Sequence, residues 1–71
     1  MEISIRLKLA GKIREFREGR GYTQTKLAEL ADIDYKYLQR IESKNPPALK
    51  IDTIGKLAKA LKTTPAELLN F

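Results

Sequence analysis

The chain opens on a strict alternation: in EISIRLKL, Ile3, Ile5, Leu7 and Leu9 stand between Glu2, Ser4, Arg6 and Lys8, the period of a half-buried strand. The same stretch fits a second period. Ile5, Leu9, Ile13 and Phe16 recur at helical spacing, with Lys12, Arg14, Arg17 and Arg20 on the remaining faces. The pattern predicts a helix over about residues 4–20 and leaves residues 2–8 open to strand or helix. Gly11 weakens that helix by about 1 kcal/mol relative to alanine. Gly19 and Gly21 supply its stop, one of them as the left-handed residue past the end.

Four shorter helices follow. Thr23 caps a helix over residues 24–30 whose inward face is Leu27, Ala28 and Ala31. Asp34 caps another over residues 35–42, with Leu38 and Ile41 inward and Ile33 and Leu38 at the two positions of a hydrophobic staple. Between them Asp32 falls in a tight turn that calls for a positive φ, which Asp tolerates better than most side chains. SKNPPALK reads as a loop, because the residue before each proline avoids helical geometry and Pro46-Pro47 cannot donate backbone hydrogen bonds. A fourth helix over residues 51–62 is expected to bury Ile51, Ile54, Leu57, Ala58 and Leu61, with Gly55 marking close helix packing. Thr64-Pro65-Ala66-Glu67 opens a fifth over residues 65–69, with Thr64 as N-cap, proline first and Glu third.

Composition narrows the chemistry. Seventy-one residues make one domain, 1–71, whose core is small enough that a second copy helps to bury apolar surface. No cysteine and no histidine are present, so disulfides, thiol nucleophiles, thiolate metal sites and the commonest general base are excluded; no cofactor and no metal site are expected. No apolar run approaches the roughly 18 residues that span a bilayer and no secretory leader is recognisable, so the expected compartment is the cytoplasm, without membrane association. A formal net charge of +5, from 14 Lys and Arg against nine Asp and Glu, favours a polyanionic partner.

The helices at 24–30 and 35–42, joined by a turn of about four residues, have the outline of a helix-turn-helix, whose second helix the first can hold out into a major groove. At 100° per residue Lys36, Gln39, Arg40 and Ser43 of the second helix face outward, with Tyr35 and Tyr37 at the margins. Arg can chelate guanine O6 and N7, Gln can pair with adenine, Lys can serve either role less specifically, and a tyrosine can bond a phosphate or press on a thymine methyl. A merely solvated face of a structural helix is the alternative.

TQTKLAELADIDYKYLQRIE, flanked by KIREFREGRGYTQ and IGKLAKALKTTPAELL, resembles the phage-repressor and Cro-type family, often called XRE-type regulators, over about residues 9–69. The resemblance implies an all-α, compact five-helix, lambda-repressor-like domain that recognises a short palindromic operator in double-stranded DNA as a homodimer. Carried over by position, it makes Tyr35, Lys36, Gln39 and Arg40 base readers, and Gln24 a phosphate clamp at the start of the second helix. Thr23, Tyr37, Ser43, Lys44 and Asn45 join as phosphate contacts, and Arg17 pairs with Glu42 to orient the recognition helix. The chain departs from the family pattern in three places: Asp32 stands where glycine is usual, Lys26 replaces the common acid, and SKNPPALK is about one residue long.

Regulation would then reduce to occupying an operator, with no small-molecule ligand and no catalytic domain. Leu68, Leu69 and Phe71 offer apolar surface for a two-fold dimer, or complete the monomer core. A second reading makes the same fold a protein-interaction module such as an antitoxin, with DNA binding secondary. An enzyme is not expected.

Overall fold

The computed structural model describes residues 4–71; Glu2 and Ile3, which carry the start of the alternating pattern, lie outside the described residues. Five helices run in the order α1 (Ile5–Gly19), α2 (Gln24–Ala31), α3 (Tyr35–Ile41), α4 (Ile51–Ala60) and α5 (Pro65–Leu68), and no strand occurs among the described residues. From Ile5 onward the helical period prevails over the alternating one. Ser4 is not the first helical residue but the N-cap, its hydroxyl accepting from the Arg6 amide at 3.1 Å.

Each start signal in the sequence corresponds to a bond. Thr23 Oγ1 accepts from the Lys26 amide at 3.0 Å, Asp34 Oδ2 from the Lys36 and Tyr37 amides at 2.9 and 3.2 Å, and Thr64 Oγ1 from the Glu67 amide at 3.2 Å. These satisfy donors that the first helical turn cannot use internally.

The ends obey a common rule too. After α1, Tyr22 N–H reaches back to Arg17 O and Gly21 N–H to Glu18 O, with Gly21 at φ 73°. After α2 the same pair of bonds runs from Ile33 to Ala28 and from Asp32 to Glu29, with Asp32 at φ 56°. After α4 it runs from Thr63 to Ala58 and from Lys62 to Lys59, with Lys62 at φ 57°. All are left-handed helix stops of the Schellman kind. The third shortens the expected 51–62 helix, since Lys62 turns the chain rather than continuing it.

One core joins the elements. Ile13, Leu27, Leu38, Ile41, Leu57, Leu61 and Leu68 are fully enclosed, each worth about 1.5–3 kcal/mol on burial. α2 packs on both α3 and α4, and α5 on α4 and α1. Ile33 leans on this cluster from the turn and Tyr37 from α3, so the staple residues Ile33 and Leu38 belong to the same core.

Burial fades along two helices toward their starts. Ile51 is 80% exposed although it shares a face with Ala58, because it lies a turn beyond the half-buried Ile54, where no neighbouring helix covers it. Ile5 is exposed ahead of Leu9 and Ile13 on α1 in the same way. Gly55 does not mark close packing: a Cβ there would meet nothing within 4 Å. Among the described residues no helix is long and apolar enough to cross a membrane.

Candidate nucleic-acid interface

α3 offers two unlike sides. Leu38 and Ile41 are sealed in the core, while Tyr35, Lys36, Gln39 and Arg40 are exposed and Tyr37 half-buried at the margin. Gln39 Nε2 donates to the Tyr35 hydroxyl at 2.9 Å, a pairing one turn apart that orders both polar ends without occupying the amide oxygen. That oxygen, Lys36 and Arg40 remain available to an outside partner. The four side chains expected to read bases therefore share one exposed surface.

The helix is held in place from its far end. Glu42 follows α3 with its side chain fully enclosed, and Arg17 Nε and Nη2 donate to its Oε2 at 2.8 Å and Oε1 at 3.0 Å in a fork. Gln24 Nε2 donates to the same Oε1 at 3.1 Å, and Arg14 Nη2 to the Glu42 carbonyl at 2.9 Å. Arg17 also donates through Nη1 to Tyr22 O at 2.9 Å, tying the α1 stop into the same knot. Its hydrogen bonds to Glu42 raise the Arg17 pKa above an arginine's ordinary value against the opposing effect of burial, so the guanidinium is permanently charged. A buried carboxylate is costly unless paired and hydrogen-bonded; here every enclosed side-chain polar atom among the described residues has a partner.

Gln24 thus combines two positions. It stands at the first turn of α2, where Thr23 is the exposed cap, yet its amide nitrogen is engaged by Glu42 and its carbonyl oxygen is the acceptor end. Ser43 is engaged as well, its hydroxyl donating to Arg40 O at 2.7 Å and accepting from the Asn45 amide at 3.2 Å, which shapes the turn leaving α3. Lys44 and Asn45 are exposed in that turn.

The fold adds basic residues that the sequence pattern had assigned only to the outside of α1. Arg6 and Ser4 line one hollow with Arg40, Lys44 and Asn45, and Arg14 lines the next with Ser43 and Lys44. α1 therefore flanks the end of α3 with two further guanidinium groups, Arg6 near its start and Arg14 past its middle. No local signal could single them out, since 28 residues separate Arg14 from Glu42.

Among the residues offered as dimer surface, Leu68 belongs to the core, while Leu69 and Phe71 are exposed and Lys8 Nζ lies 5.8 Å from the Phe71 ring centroid. Leu69 and Ile5 line an apolar concavity of about 230 Å³ together with Pro46, Pro47, Leu49 and Ile54. Among the described residues no group of acidic side chains could hold a metal ion.

Two helices joined by a left-handed turn, with the second exposing a polar face, make a helix-turn-helix. A family model described as Helix-turn-helix matches residues 13–68, and the chain belongs to that family, of the XRE type. Among solved structures, the restriction-modification controller protein C.AhdI from Aeromonas hydrophila is 33% identical, with TM-score 0.83 over 89% of this chain and 94% of that one. The clp gene regulator ClgR from Corynebacterium glutamicum is 26% identical, with TM-score 0.91 over 99% of this chain and 73% of that one. The nucleoprotein complex of C.Esp1396I contains a chain 26% identical, with TM-score 0.85 over 97% of this chain and 88% of that one. No curated protein matches the sequence.

Proposed function

We propose that this protein is a sequence-specific regulator of transcription that seats α3 in the major groove of a palindromic operator as a homodimer in the cytoplasm. The observation that carries the reading is the division of α3: its inner side chains and Glu42 are locked, so Tyr35, Lys36, Gln39 and Arg40 are presented on a rigid support. Membership in the Helix-turn-helix family supports it, as does the likeness to regulators and to a chain in a nucleoprotein complex.

Arg40 and Lys36 are the groups suited to guanine edges, Gln39 to adenine, and Tyr35 to a neighbouring base or methyl. Phosphates on one side meet Thr23, the second amide hydrogen of Gln24 and Tyr37; on the other they meet Lys44 and Asn45, in the turn that Ser43 shapes, extended by Arg6 and Arg14. Leu69, Phe71 and Ile5 supply the apolar patch through which two copies associate, placing two recognition helices about 34 Å apart on one side of the duplex.

The test is selection of bound duplexes from a random library, repeated with Lys36→Ala and Arg40→Ala. An enriched palindrome whose preference relaxes at different positions in the two variants supports the assignment. No enriched site, or one that both variants still prefer unchanged, refutes it. Affinity for the selected duplex should also fall with salt, each phosphate contact adding about 0.9 to the logarithmic slope.

A further inference from the structure

A second basic surface lies away from α3. On the side of α2 opposite Gln24, Lys26 and Leu30 face α4 across a groove of about 540 Å³ that Lys56, Lys59 and Lys62 also line. Asp32 is its only carboxylate, and none of the four lysines takes part in a salt bridge among the described residues. None of Tyr35, Lys36, Gln39 and Arg40 lines it.

Lys62 supplies an independent observation. It occupies the left-handed region at φ 57°, where a glycine or asparagine is at ease and a long side chain is strained. Arg20 fixes it there, donating through Nε to Leu61 O at 2.9 Å and through Nη2 to Lys62 O at 3.2 Å. The backbone that carries this cation is thus fixed at the rim, in a conformation that the helix stop requires and lysine itself does not favour.

The chemistry between the cations decides what fits. Leu30 is 46% exposed, and lysine stems can flank an inserted apolar side chain while their ammonium groups meet carboxylates. A nucleic-acid backbone would satisfy the charges but leave Leu30 uncovered. We propose that the groove between α2 and α4 docks an acidic segment of a partner protein, anchored by a large apolar side chain on Leu30 and held by Lys26, Lys56, Lys59 and Lys62. A protein bound there leaves the outer face of α3 free, so both contacts can be made at once.

The experiment titrates the intact, isotope-labelled chain with a synthetic peptide of Asp and Glu flanking Leu and Phe, followed by amide chemical shifts. Saturable shifts centred on Leu30, Asp32, Lys56 and Ala60 are expected. Replacing Leu and Phe of the peptide by Ser should weaken binding at least about tenfold. The Lys56→Glu, Lys59→Glu double variant should weaken it about tenfold, and Leu30→Ala should weaken it without altering the thermal transition. In physiological salt, where the Debye length is about 8 Å, affinity for the selected duplex should fall far less in both variants than in Arg40→Ala. Absence of saturable binding overturns the proposal, as do equal binding of the serine peptide and shifts centred on residues 35–40. If charge reversal lowers duplex affinity as much as Arg40→Ala does, the groove is a nucleic-acid contact and the proposal fails. Because the peptide arm requires no operator, its failure is distinguishable from failure of DNA recognition.

Discussion

The two ends of α3 are held by opposite means. At its start a single exposed aspartate, Asp34, accepts from two amides within three residues of itself. At its finish Glu42 is buried and bound by groups 18, 25 and 28 residues away in α1 and α2. The local cap decides where the helix begins; the distant knot fixes how it is oriented against the rest of the molecule. Solvent screens the first and not the second, so the same charge on the two side chains should have very different consequences.

The largest expected effect comes from breaking the buried end on one side only. Glu42→Ala removes the carboxylate on which Arg17, Gln24 and Arg14 converge, and Arg17→Ala leaves Glu42 with only Gln24 Nε2 at 3.1 Å and Arg14 Nε at 3.6 Å, so each should cost up to about 3–5 kcal/mol. For a chain of this size that lowers Tm by roughly 12–40 °C, readable by circular dichroism. Replacing both by methionine should recover most of the loss, since the uncompensated charge disappears. A single variant that melts within a few degrees of the parent would show that α3 is anchored by its apolar side alone.

Next in size is the stretch between the ends. Arg40→Ala should cost about 1–3 kcal/mol of discrimination at one base position, measured as the affinity ratio between the selected duplex and one changed at that position. Its side chain is exposed and makes no salt bridge among the described residues, so Tm should not move. Equal losses against every sequence would reassign it to phosphate.

Asp34→Ala comes third, at about 1 kcal/mol, the usual worth of an N-cap. The comparison of the two ends predicts that it weakens duplex binding only modestly, through fraying at Tyr35 and Lys36, while Glu42→Ala weakens it severely. Measured at a temperature where both variants are folded, reversed ranks would mean that orientation is set at the start of α3 rather than at its finish.

The same contrast explains what the sequence disclosed. Caps, stops and inward faces depend on residues within a few positions of one another, so Thr23, Asp34 and Thr64 could be placed from spacing alone. Pairing of Arg17 with Glu42 was legible only through family resemblance, because nothing local links residues 25 apart. The fork that closes it, the engagement of Gln24 and the approach of Arg6 and Arg14 required the packing of α1. Ile51 misled for a related reason: periodicity assigns a residue to a face but does not say whether a neighbour extends far enough to cover it. Lys62 was unreadable because lysine carries no preference for the left-handed conformation it adopts.

The smallest effect concerns the turn that delivers the chain to Asp34. Asp32 and Lys62 adopt nearly the same left-handed geometry, at φ 56° and 57°, at the ends of α2 and α4. Replacement by glycine removes strain of roughly 1 kcal/mol but adds about 0.4–1 kcal/mol of unfolded-chain freedom, so each variant should shift stability by no more than a few tenths. The two need not shift alike. Aspartate is among the side chains that tolerate this region and lysine is not, so Lys62→Gly should be the more stabilising of the pair. Chemical denaturation with matched m-values resolves the order. If Asp32→Gly proves the more stabilising, or costs more than about 1 kcal/mol, the Asp32 side chain does more in the turn than tolerate its φ, and the start of α3 is not held by Asp34 alone.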